Sequence, residues 1–139
     1  MKWLIRLFLS IHVFVYRLSG GKFGGKIGGA PVLLLTSTGR KSGKTRTIPV
    51  AYLRDGENYV ITASNGGAAQ HPGWYFNLKH NPKATIQVND RAMAVLAEQA
   101  ENETRSRLWS QLIQQAPAFE KYGHNTQRVI PMFILRPAG

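Results

Sequence analysis

The chain of 139 residues has the length of one domain, and its 43% hydrophobic and 18% charged content excludes disorder. It contains no cysteine, which excludes disulfides, thiolate nucleophiles and cysteine-held metals. The net charge is +11, and residues 1–54 carry ten Lys and Arg without a single acid, a field that calls for an anionic partner.

Residues 1–18 (MKWLIRLFLSIHVFVYRL) are predicted to form an amphipathic helix. At about 100° per residue, Lys2, Arg6, Ser10 and Arg17 share a sector of roughly 80°. Trp3, Leu4, Leu7, Phe8, Ile11, Phe14, Val15 and Leu18 occupy the broad opposite face. Three cations interrupt the run, so it does not read as a membrane span. Two readings remain. The helix lies on an anionic membrane surface with its apolar side in the acyl boundary, or it packs as core against its own domain or a dimer partner. Residues 19–30 are glycine-rich and read as a linker. Residues 31–139 form the folded domain.

In that domain 31–37 is an apolar run ending in turn residues, predicted as a buried strand. Strands 46–54 and 58–64 flank Asp55-Gly56, a hairpin signal because both residues tolerate positive φ. Residues 84–89 alternate, with Ala84, Ile86 and Val88 on one face; strands 92–98 and 130–135 follow. Helices are predicted at 71–80, with a first-turn Pro and an Asn81-Pro82 stop, and at 103–115, with Leu108, Trp109, Leu112, Ile113 and Ala116 on one face. Six short strands and intervening helices predict a mainly β (α+β) fold, a small antiparallel barrel.

The densest chemistry lies at Thr36-Ser37-Thr38-Gly39-Arg40-Lys41-Ser42-Gly43-Lys44-Thr45-Arg46. A strand ends in hydroxyls, turns on two glycines and displays four cations within seven residues, a donor set for phosphate or carboxylate. It is not a P-loop, since a strand and not a helix follows. A basic hairpin loop alone is usually a solvated turn. The second cluster singles this one out: Ser64-Asn65-Gly66-Gly67-Ala68 closes a strand, and Trp74, Tyr75, Asn77 and Lys79 follow on a short helix, a ledge for a flat ring. The histidines at 12, 71, 80 and 124 lack ligand spacing, so no metal is expected.

The runs TSTGRKSGKTRTIPVAYLRDG, ITASNGG and HPGWYFNLKHNP, with Tyr16-Arg17-Leu18-Ser19-Gly20-Gly21-Lys22 before them and Arg128-Val129-Ile130-Pro131 after, resemble the deazaflavin-dependent nitroreductases and quinone reductases of the flavin/deazaflavin oxidoreductase superfamily. The resemblance covers about residues 10–137. It implies a split β-barrel binding coenzyme F-420, an 8-hydroxy-5-deazaflavin. Carried over by position, Arg40, Lys41, Ser42 and Arg46 would hold the phosphate and glutamyl tail. Pro49, Ala63, Ser64 and Asn65 would line the ring, with Trp74, Asn77 and Lys79 near ring and tail. The family's substrate-pocket tyrosines fall here on Ala116, Phe119 and Tyr122, and only Tyr122 keeps a hydroxyl. Ile48 and Ala51 likewise replace a family Asn and Tyr.

The expected reaction is hydride transfer from reduced F-420 to an electron-poor acceptor, a quinone or, less readily, a nitroaromatic compound. Tyr122 or Ser64 would hydrogen-bond the acceptor oxygen. The expected setting is cytoplasmic and peripheral to the membrane, as a monomer or homodimer. An FMN-binding split-barrel enzyme, and a non-catalytic cofactor or lipid binder of the same fold, are the alternatives. A nucleic-acid partner is not expected, because the basic residues are not interleaved with aromatics on a strand face.

Overall fold

The computed structural model describes residues 2–19, 26–27, 30–63, 71–124 and 129–138. Their elements are α1 (Lys2–Ser19), β1 (Lys26–Ile27), β2 (Ala30–Thr38), β3 (Thr45–Asp55), β4 (Asn58–Thr62), α2 (Gly73–His80), β5 (Lys83–Val88), β6 (Arg91–Gln99), α3 (Asn102–Gln115), α4 (Ala118–His124) and β7 (Met132–Pro137). All strand pairs are antiparallel, in the order β2-β3-β4-β7-β6-β5, and β5 pairs back onto β2. This closes a six-stranded barrel; the two-residue β1 adds to β2 from outside. The 19–30 connection otherwise lies largely outside the described residues.

β2, β4 and the first part of β7 read as apolar runs because both of their faces are covered. On β2, Leu33 and Leu35 point into the lumen with Val50, Ile61, Ile86, Val95, Phe133 and Leu135. Val32 and Leu34 point outward beneath α1. Residues Ala51, Leu53, Val60, Met132 and Ile134 face out beneath α3 and α4, against Leu108, Leu112, Ala116 and Phe119. The Arg105 guanidinium ties α3 to the start of β7, donating twice to the Ile130 carbonyl (2.7 and 3.2 Å) and lying over Trp109.

Several expected boundaries shift. Asp55 pairs with Asn58, so the hairpin loop is Gly56-Glu57, and only Gly56 takes positive φ (+61°). The 71–80 helix starts at Gly73, because Pro72 stays extended as its N-cap and accepts the Tyr75 N–H. It ends as expected at Asn81, whose N–H closes the last turn on Asn77. The last strand begins at Met132: the Pro131 carbonyl still accepts the Ala63 N–H, but proline has no N–H to return. Helix α4 was not expected. At seven residues it is too short to show a period in sequence.

Helix α1 forms, but its broad apolar face is not the side that packs on the barrel. The barrel contact is made by Val13 and Tyr16, packed on Val32 and Leu34. The Tyr16 hydroxyl donates to the Val32 carbonyl (2.8 Å) and accepts the Asn89 backbone N–H (2.8 Å), reaching the positive-φ turn between β5 and β6. Leu4, Leu7, Phe8, Ile11, Phe14 and Val15 remain exposed, Phe8 by 71% and Phe14 by 65%. No helix among the described residues is long and apolar enough to cross a membrane.

Candidate active site

One end of the barrel gathers the β2–β3 connection, the end of β4, helix α2 and the start of β7. The connection, residues 39–44, is drawn tight: Gly39 N–H donates to the Lys44 carbonyl (2.8 Å) and Gly43 N–H to the Gly39 carbonyl (2.9 Å). A β-carbon on Gly39 would lie 2.9 Å from Ser42 Oγ and 3.2 Å from the Lys44 carbonyl, so only glycine lets the loop close this far. Gly43 sits at φ +72°, where a side chain is strained. Ser42 Oγ accepts the Lys44 N–H, which leaves its own proton for a ligand. Arg40, Lys41, Lys44 and Arg46 all stand exposed around this turn. Four like charges so close repel one another, and a multivalent anion relieves that repulsion.

Helix α2 closes the lumen at this end. Trp74 and Leu78 join the lumen cluster, and Trp74 meets Phe133 edge-on at 5.9 Å. Asn77, 5% exposed, turns toward the basic loop. Its Oδ1 accepts both the Arg40 backbone N–H (3.2 Å) and Arg40 Nη1 (3.1 Å). The Arg40 guanidinium lies 5.0 Å over the Phe76 ring, a cation–π contact.

The structure therefore brings Arg40, Ser42, Arg46 and Asn77 to one place, with Trp74 and Ala63 in the core just behind them. It places Lys79 about 200° around α2 from Asn77, where its ammonium donates to Gln99 on β6 (3.0 Å). Pro49 pairs with Leu34 in mid-strand and shares its outward face. Ser64 and Asn65 lie outside the described residues, as does the Tyr122 side chain, although Tyr122 itself belongs to α4. Ala116 and Phe119 are buried beneath β3, β4 and β7, where they pack in the cluster under α3 and α4. Phe76 was missed. A Trp-Tyr-Phe run at 100° per residue must send its members three ways, and that signal was present. Among the described residues no three His, Asp or Glu come close enough to hold a metal.

The profile of the F420H(2)-dependent quinone reductase family matches residues 8–137. The chain belongs to that family. It is accordingly an oxidoreductase whose cofactor is coenzyme F-420. An F420H(2)-dependent quinone reductase of Mycobacterium tuberculosis is 40% identical over 132 residues, covering 91% of this chain and 88% of its own. A solved F420-H2 dependent reductase (FDR-A) is 37% identical, with a TM-score of 0.71 over 76% of this chain and 94% of its own. A solved domain-swapped dimer is 33% identical, with a TM-score of 0.73 over 97% of this chain and 98% of its own.

The residues present fit the coenzyme. A phosphodiester carrying several carboxylates needs a cluster of cations, and the loop against α2 provides one in the exposed Arg40, Lys41, Lys44 and Arg46.

Proposed function

We propose that this chain reduces a quinone-like acceptor with hydride from F420H2 at the α2-closed end of the barrel, while α1 rests on the cytoplasmic face of the membrane. The observation that carries the reading is the tight basic loop, with Arg40 pinned to α2 beside the lumen. When bound, the reduced deazaflavin supplies the hydride. Arg40, Lys41, Ser42 and Arg46 bind the phosphate and tail, Ala63, Ser64 and Asn65 with Trp74 bound the ring, and Tyr122 or Ser64 donates a hydrogen bond to the acceptor oxygen as charge builds there. Titrating the purified protein with F-420 and with FMN tests this. Micromolar or tighter F-420 binding and weak FMN binding are expected; stoichiometric FMN without F-420 binding overturns the reading. Tyr122→Phe is expected to slow quinone turnover and leave coenzyme affinity unchanged, and an unaltered rate would transfer the role to Ser64. Nitroaromatic compounds are proposed as poor acceptors, because Tyr122 is the single hydroxyl left at the three tyrosine positions.

The membrane placement rests on the exposed apolar face of α1 beside Arg17 and on the surplus of cations in residues 1–54. Each cation near an anionic leaflet contributes about 1 kcal/mol, so lipid attachment depends mainly on the apolar face. Phe8→Ser with Phe14→Ser leaves Val13 and Tyr16 on the barrel and is expected to abolish co-sedimentation with anionic vesicles without loss of fold. The solved domain-swapped relative favours a second use of the same face, burial against another copy of the chain. Sedimentation without lipid separates the two: a dimer that this double variant dissolves would give the face to the partner.

A further inference from the structure

A buried asparagine at the mouth of the site spends its carbonyl on the protein itself. Asn77 Oδ1 has two lone pairs, and both are taken, one by the Arg40 backbone N–H and one by Arg40 Nη1. Both neighbours are donors, which fixes the amide with its oxygen toward Arg40. Phe76, the preceding residue on α2, covers one face of the same guanidinium. Arginine is long and loses considerable rotamer freedom when a ligand immobilises it. Here that freedom is already restricted by contacts to a helix that is itself rooted in the lumen through Trp74 and Leu78. Among the described residues Arg40 Nε and Nη2 have no partner, so the unused edge of the guanidinium is left for an anion.

We infer that Asn77 is a positioning residue: through Arg40 it holds the basic loop in the conformation that receives the coenzyme's anionic tail. The inference rests on the F-420 reading above. It gives Asn77 no contact with the deazaflavin ring through its carbonyl, and it makes α2 the part of the fold that preorganises the charge of the β2–β3 loop.

A double-mutant cycle tests it. Affinities for F-420 and for the deazaflavin lacking phosphate and tail are measured for wild type, Asn77→Leu, Arg40→Ala and the pair. Asn77→Leu is expected to weaken F-420 binding about tenfold when Arg40 is present and about threefold or less when it is alanine, where only the bond to the residue-40 backbone N–H is left to lose, with affinity for the tail-less deazaflavin unchanged. Additive losses would overturn the inference, because Asn77 would then act independently of Arg40. An equal loss on the tail-less compound would also overturn it, by showing a ring contact. Should Asn77→Leu fail to fold, Asn77→Ser, which keeps a polar side chain but cannot span to Arg40, completes the same cycle. Wild-type protein that binds no F-420 would remove both this inference and the function on which it rests, whereas binding with additive losses removes the inference alone.

Discussion

Tyr16→Ala is expected to cost about 3–5 kcal/mol of stability, the range for deleting a fully buried aromatic. The side chain is fully enclosed, and with Val13 it makes the small cluster that seats α1 on β2. Its hydroxyl joins the Val32 carbonyl to the Asn89 N–H, so one residue secures a helix, a strand and a hairpin turn. Domains of this size have about 5–15 kcal/mol in total, so the variant should unfold at markedly lower denaturant, and urea titration measures this. Tyr16→Phe keeps the ring and loses the hydroxyl, leaving the Asn89 N–H without its acceptor, for about 1–3 kcal/mol. Burial pushes the Tyr16 phenol above its usual value of 10, against a weaker opposite pull from the Asn89 N–H. The folded state then keeps a proton that the unfolded chain releases. The resulting stability is complete below about pH 10 and is lost as pH rises above it. Tyr52, also raised by burial, acts in the same direction. Above about pH 10 the wild type should therefore lose stability more steeply than Tyr16→Phe. Parallel slopes would show that Tyr16 does not carry the alkaline transition.

The second large effect falls on binding. Arg40→Ala with Lys41→Ala is expected to weaken F-420 affinity about ten- to hundredfold at low ionic strength, more for long glutamyl tails than for short ones. Both side chains are exposed, so the loss should shrink toward about 1 M salt, where screening acts within about 3 Å. Folding should be little affected. The Asn77 carbonyl still receives the backbone N–H of residue 40, and two mutually repelling charges are gone. Calorimetry at two salt concentrations reads both quantities, and unchanged affinity would place the tail elsewhere on the basic half of the chain.

Much of this protein is written in short stretches of sequence. The β2 run, the alternation of 84–88, the Asn81-Pro82 stop and the glycine-framed cations of 39–46 each lie within about ten residues, the range over which φ/ψ preference and periodicity act. The shifts at Gly56, Gly73 and Met132 are boundary errors of one or two residues, each set by a pairing partner or a proline. Family membership was legible for the same reason, since its motifs are contiguous.

What faces what was not legible. Periodicity assigned α1 a broad apolar side, but the barrel took Val13 and Tyr16 from the other side and left Phe8 and Phe14 exposed. Helical spacing put Ala116 on the apolar face of α3 while the resemblance put it at a pocket position, and it lies buried in the layer beneath β3, β4 and β7. Lys79 and Asn77 are two residues apart in sequence and point to β6 and to the basic loop respectively. These outcomes rest on contacts across large separations: 73 residues from Tyr16 to Asn89 and 37 from Arg40 to Asn77. The sequence by itself determined the strands, the charge and the chemistry of the loop, because those follow from neighbouring residues. Barrel closure decided which side of α1 is buried and which asparagine holds which arginine, because the β2–β5 pairing sets residues 34–36 beside residues 85–87, far apart in sequence.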